Sequence, residues 1–275
     1  MRLEPWRIVC KMSITGNNIL IGSSGGATRA EMSDVPQSDL VVHSRADTGV
    51  TDAGGGLVSE WENTAGDNWE PRGTTGAGAV STDYAPTIVP AGTVGTLAGA
   101  GYILFPGVDE RLVTGANVGA QGANESIHMF GVIYIDTWRV YGQILNTYGG
   151  GATHLWMMGA DADNAILSPA CDGAPDPEAD INIGEWFYYN TWWTDGVGNA
   201  YVQINNGAKN TSAGRFGHPN NNSPGWSGHL DLMASEHNGG YVHGRVAEQI
   251  CYGAEQTGAD LTAIKDYING QYGLW

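Results

Sequence analysis

The sequence predicts an all-β protein: a sandwich of two antiparallel sheets with one short helix near the C-terminus. Three observations carry this. Glycine is abundant at 42 residues while Lys and Arg total 12, a balance that suits short strands joined by tight turns. Ser126–Asp136 alternates with apolar residues on both faces: Ile127, Met129, Ile133 and Ile135 on one, His128, Phe130, Val132 and Tyr134 on the other. A strand covered on both sides belongs in the middle of a layered structure. Finally, the aromatic run Trp186–Trp193 is followed by Ala200–Ile204 and the turn Asn205-Asn206-Gly207, a hairpin signal.

Further strands are expected over Asp39–Ala46, Leu57–Asn63, Tyr102–Phe105, Arg111–Val113, Gln143–Tyr148, His154–Gly159, Ala165–Ser168 and Gly244–Tyr252. Ala85–Pro90 carries two prolines, which confines it to a sheet edge or a non-strand path. Trp186, Tyr188 and Trp192 share one face of their strand; Phe187, Tyr189 and Trp193 share the other. Trp186 and Trp193 are expected in the core. The one helix is signalled by Thr257 as N-cap, Asp260 three residues on, and Leu261, Ile264 and Ile268 at helical spacing. Gly270 or Gly273 ends it.

Residues 1–38 differ in composition and read as an arm that packs on the main domain or on a neighbouring subunit; 39–275 is the globular domain. Met12 is an alternative start. The opening residues lack the apolar core of a secretory signal, and no stretch reaches the ~20 apolar residues of a membrane span. The chain is therefore expected to be made in a cytoplasm without membrane insertion. The formal charge of −17 argues against nucleic acid as a partner, because phosphate binding needs clustered Lys and Arg. The three cysteines form neither a disulfide framework nor a metal-ligand spacing.

Several segments, taken in order, resemble the concanavalin A-like lectin/glucanase superfamily, in particular its laminin-G-like domains. They are Leu40–Asp52 with Arg45-Ala46-Asp47; Val58-Ser59-Glu60-Trp61 before Thr64–Asp67; Phe105-Pro106-Gly107 before Asp109–Leu112; Gly184-Glu185-Trp186; Ala200–Gly207; Gly244–Glu248; and Asp260–Leu274. The resemblance implies a jelly-roll sandwich, often with a carbohydrate or calcium site on a loop rim. Such domains occur in lectins and in bacteriophage virion proteins, and Met12-Ser13-Ile14 with Asn18–Gly22 is similar to the start of phage structural proteins. The function expected is a non-enzymatic virion component (capsid decoration, fibre or tail-attached) on the virion surface, a homo-oligomer contacting other virion proteins and binding a cell-surface glycan. The alternatives are an extracellular bacterial surface lectin and a polysaccharide hydrolase or lyase.

No catalytic residue is assigned. Retaining glycosidases need two carboxyls ~5 Å apart, which alternate positions of one strand supply. Glu60 and Glu62 have that spacing but not the family position, and Asp231 and Glu236 would face opposite sides of a strand. A glycan site needs an aromatic face beside amide and carboxylate groups. The loop with His218, Asn220, Asn221, Asn222 and Trp226 offers both, with Trp192 and Trp156 as strand contributors. His237, Asn238 and Tyr241 form a second candidate rim. Core filling is the competing fate of each tryptophan, since the chain holds 10. Asp161, Asp163 and Asn164 offer calcium three oxygen side chains in one turn, but the full spaced loop with a distal Glu is absent and a solvated acidic loop is the favoured reading of the same residues.

Overall fold

The computed structural model describes residues 31–72, 79–93, 97–114, 126–137, 143–148, 156–159, 166–170, 177–194, 196–216, 229–233 and 241–275. Among them the strands are β1 (Leu40–Arg45), β2 (Val50–Asp52), β3 (Val58–Trp61), β4 (Trp69–Glu70), β5 (Thr87–Val89), β6 (Tyr102–Phe105), β7 (Leu112–Thr114), β8 (Ser126–Thr137) and β9 (Gln143–Tyr148). They continue with β10 (Trp156–Gly159), β11 (Ile166–Ala170), β12 (Ala179–Asp180), β13 (Trp186–Thr194), β14 (Gly196–Ile204), β15 (Asn210–Phe216), β16 (His229–Leu232) and β17 (His243–Tyr252). Helix α1 spans Gly258–Tyr272. No helix of the described residues is long and apolar enough to cross a membrane.

The strands form two antiparallel sheets. The first runs β15-β14-β13-β8-β17-β6-β5, with β1 also paired to β17. The second runs β12-β11-β10-β9-β16-β7-β4-β3-β2. Strand β17 organises the first sheet. Along one side it pairs with β8, from His243↔Thr137 to Tyr252↔His128. On the other side, β6 takes Gly244–Val246 and β1 takes Glu248–Tyr252.

The alternation of β8 places its faces as expected. Ile127, Met129, Ile133 and Ile135 enter the core between the sheets, where they meet Trp61, Trp69, Leu112, Leu145, Leu230 and Leu232 from the second sheet. Phe130 and Val132 join Tyr188, Ile250, Ile264, Tyr267 and Ile268 in a second apolar layer, between the first sheet and α1. Burying these faces is the main stabilising term, at ~25 cal/mol per Å² of apolar surface.

The proline-flanked segment β5 is the edge of its sheet. The turn at Asn205–Gly207 joins β14 to β15 as an antiparallel pair, with Val202 opposite Asn210 and Gly207 N–H donating to Ile204 O. Asn205 takes the left-handed conformation at φ 50°, which asparagine tolerates. Helix α1 ends at Gly273, φ 61°. Thr257 occupies the N-cap, but its side chain makes no capping bond. The position was legible; the hydrogen bond expected of it is not formed.

Two buried polar groups interrupt the apolar layer under α1. In the first, His43 Nε2 lies 2.7 Å from Glu248 Oε1, to which Tyr267 Oη donates at 2.8 Å. Arg45, opposite Glu248 in the ladder, reaches Tyr267 Oη at 3.4 Å and Asp47 at 2.6 Å. In the second, His128 Nδ1 accepts from the Gln256 backbone N–H at 2.8 Å. That acceptance leaves the ring proton on Nε2, which faces Asn190 Oδ1 at 2.6 Å and Tyr201 Oη at 2.8 Å. Burial pushes the His128 pKa down to about 3, assisted by the Lys209 and Lys265 charges and opposed by the Asn190 bond.

Candidate functional site

Most of the residues singled out in sequence for ligand binding lie outside the described residues: His218, Asn220, Asn221, Asn222, Trp226, His237, Asn238, Asp161, Asp163 and Asn164. Two are described. Trp192 is half-buried on β13, its ring 5.9 Å from that of Tyr201, with the indole N–H enclosed and without a hydrogen-bond partner. Tyr241 is half-buried just before β17. The ladders place these two apart. Trp192 pairs with His128 near one end of β8, whereas His243 pairs with Thr137 at the other, and nine residues of strand span ~30 Å. They do not line one site.

Asp231 is completely buried in β16, opposite Val113 and Asn146. Among the described residues no three His, Cys, Asp or Glu side chains gather as a metal site.

A cleft of about 300 Å³ opens instead where the two sheets meet at the start of β13. The chain enters it from β12, an edge strand of the second sheet, and crosses to β13 through the loop at 181–185. The hairpin turn after β14 forms the opposite wall. Asp180, Asn182 and Glu185 come from the entry side, Asn205 and Asn210 from the turn, and Trp186, Phe187 and Ile204 form the apolar part.

Each part is held. Gly184, at φ 86°, turns the loop into the sheet, and its N–H donates to Ile135 O. Glu185 Oε2 accepts from Asn182 Nδ2 at 2.8 Å, which fixes both on the rim. Asn205 clips the turn to β13 twice: its backbone N–H donates to Tyr188 O at 2.7 Å, and its Oδ1 accepts from Tyr188 N–H at 2.9 Å. Asn210 Nδ2 donates to Glu178 O at 2.6 Å, tying the turn back to β12.

Trp186 was expected in the core. It is half-buried at the first position of β13, lines the cleft, and packs with Tyr102 on the α1 side of the first sheet. Its indole stands edge-on to Tyr102 and Tyr134, with ring centroids 5.7 and 5.6 Å away. Arg245 lies over Tyr134 at 4.2 Å and is held by both oxygens of Asp136. The indole is thus set at a fixed angle by rings that are themselves packed. Chemically, the cleft lining combines two aromatic residues, Trp186 and Phe187, with two exposed carboxylates and three amides, residue types that suit a polyhydroxylated ring. The cleft does not show in the sequence because Asp180 ends a strand of one sheet and Glu185 lies in the loop that leads into the other, a crossing that neither alternation nor motif reports.

No protein-family model matches the chain, and no curated protein matches it in sequence. Solved structures do match in fold. One is domain 4 of AbnA, a GH43 extracellular arabinanase from Geobacillus stearothermophilus, in complex with arabinotriose: TM-score 0.54, 13% identity, covering 84% of this chain and 98% of that one. A second is the Trypanosoma rangeli sialidase with the inhibitor DANA: TM-score 0.56, 13% identity, 84% of this chain and 33% of that one. A third is the binding domain of botulinum neurotoxin DC in complex with SialylT: TM-score 0.51, 11% identity, 86% of this chain and 52% of that one. At these identities the likeness is one of fold.

Proposed function

We propose that this chain is a non-enzymatic carbohydrate-binding β-sandwich and that the cleft beside Trp186 holds the glycan. The observation that carries the reading is a cleft of about 300 Å³ whose lining joins the half-buried Trp186, its ring held by Tyr102 and Tyr134, to Asn182, Glu185 and Asn205. A sugar ring stacks its C–H face on the indole while its hydroxyls donate to the carboxylates and accept from the amides. The fold neighbours support it: the arabinanase domain is seen with arabinotriose and the toxin binding domain with SialylT. Isothermal titration against a glycan panel that includes linear arabino-oligosaccharides tests the reading. Trp186→Ala is expected to weaken binding at least about tenfold, ~1.4 kcal/mol. An unchanged affinity in that variant moves the site elsewhere.

One observation favours a second reading, polysaccharide hydrolysis: two carboxylates, Asp180 and Glu185, share the cleft. The Glu185–Asn182 bond supports a binding role for Glu185 instead. Reducing-sugar release from a polysaccharide panel, lost in Asp180→Asn and Glu185→Gln, would establish the hydrolase.

The finer assignment we propose is a laminin-G-like jelly roll displayed in many copies on a virion surface, anchored by residues 1–38. Its support is the sequence of that arm and the ordered motifs from Leu40 to Leu274. Repetition would make a weak site effective through avidity. Electron microscopy of purified particles tests it; a strictly monomeric protein found in no particle argues for the free lectin.

A further inference from the structure

Resting on the glycan reading of the cleft, we infer that it selects uncharged sugars and turns away sugars that carry a carboxylate. The first support is donor and acceptor matching. Asp180 and Glu185 line the cleft and are exposed. Ionised carboxylates only accept hydrogen bonds, so the ligand must bring donors. Hydroxyl groups do; a second carboxylate does not.

The second support is where the cations are. The described lining residues include no Lys or Arg. Lys209 sits between two lining residues, Ala208 and Asn210, yet its ammonium is turned onto the Tyr201 ring, 3.4 Å from the centroid. Tyr201 faces His128 on the α1 side of the sheet, not the cleft. Lys265 on α1 donates to Gln203 Oε1 at 2.7 Å. Arg245, behind Trp186, is bound to Asp136. Each of these charges is engaged outside the cleft, and the chain as a whole carries −17. A ligand carboxylate would approach two like charges with no counter-charge, and it would shed water to do so.

The test uses the full chain, with chelator present so that no divalent cation bridges the acids. Matched oligosaccharides that differ only at C6 are titrated: galactose against galacturonate, glucose against glucuronate, mannose against mannuronate. For any pair that binds, the neutral member is expected to be tighter by about threefold to tenfold at low salt, and the gap to shrink at high salt. Glu185→Gln and Asp180→Asn, both at exposed positions, are expected to narrow the gap while leaving Trp186 dependence intact. A uronate bound as tightly as its neutral partner, and still lost in Trp186→Ala, overturns the charge selection and leaves the glycan reading standing. Absence of binding by any sugar, on these pairs and on the wider panel, overturns both.

Discussion

His43 and Glu248 meet at 2.7 Å beneath the C-terminal helix, and neither side chain reaches solvent. They sit diagonally across the β1–β17 ladder, in which His43 pairs with Ile250 and Arg45 with Glu248. Tyr267 closes the group from α1 by donating to the same carboxylate oxygen. The helix is thereby attached by a polar bond as well as by its apolar stripe.

Removing that attachment has a defined cost. Tyr267→Phe keeps the ring and deletes the hydroxyl, so it is expected to lower unfolding free energy by ~1–3 kcal/mol in urea melts. His43→Ala removes the ring as well as the partner of the buried Glu248 oxygen and is expected to cost more than Tyr267→Phe. A Tyr267→Phe protein as stable as the parent would show that packing alone holds α1.

His128 sets an acid limit. It is neutral in the folded state, with a pKa pushed down to about 3, against 6.5 when unperturbed. As pH falls the unfolded chain therefore takes up the proton first. The stability this group contributes is complete above about pH 6.5 and is lost progressively as pH drops toward about 3. Melting temperature is expected to fall through that window. His128→Gln, which cannot take up the proton, is expected to flatten the fall relative to its own value at pH 7.

Gly131 is required by a close approach. It pairs with Tyr189, and a Cβ there would stand 2.5 Å from Tyr189 Cε1. Tyr189 cannot swing away, because it is buried and its hydroxyl donates to Gln249 Oε1. Gly131→Ala is expected to destabilise by ~1–3 kcal/mol in urea melts. A neutral effect would mean that the Tyr189 ring gives way to the new methyl group.

Asn205 couples the fold to the cleft. Asn205→Asp keeps the acceptor for Tyr188 N–H, whereas Asn205→Ala loses it and places alanine in the left-handed region. The alanine variant is expected to lose ~1–2 kcal/mol of stability and to bind glycan more weakly; the aspartate variant is expected to retain stability. Equal loss in both would assign the effect to the amide nitrogen.

What the sequence made legible is local. The two-faced alternation of β8, the proline-marked edge at β5 and the turn at Asn205–Gly207 each depend on a few neighbouring residues, and each is found where expected. The polar group of His43, Glu248 and Tyr267 was not legible, because His43 lies 205 positions from Glu248 and only strand register joins the two. The cleft failed to show for the same reason: Trp186 reads as a core aromatic until β12 is known to lie beside it. The loop tryptophan and asparagines weighed for the site in sequence fall outside the described residues.

Strand β17 follows every other described strand in chain order, yet it is the stave to which β1, β6 and β8 all join. Until it emerges from the ribosome, β1 lacks its partner strand, and β6 and β8, paired on one side with β5 and β13, each keep an open edge. The nascent chain must carry open strand edges through most of its synthesis, a condition that invites wrong pairing. Completion of this sheet is thus a late event, and its speed is set by how quickly distant segments find each other.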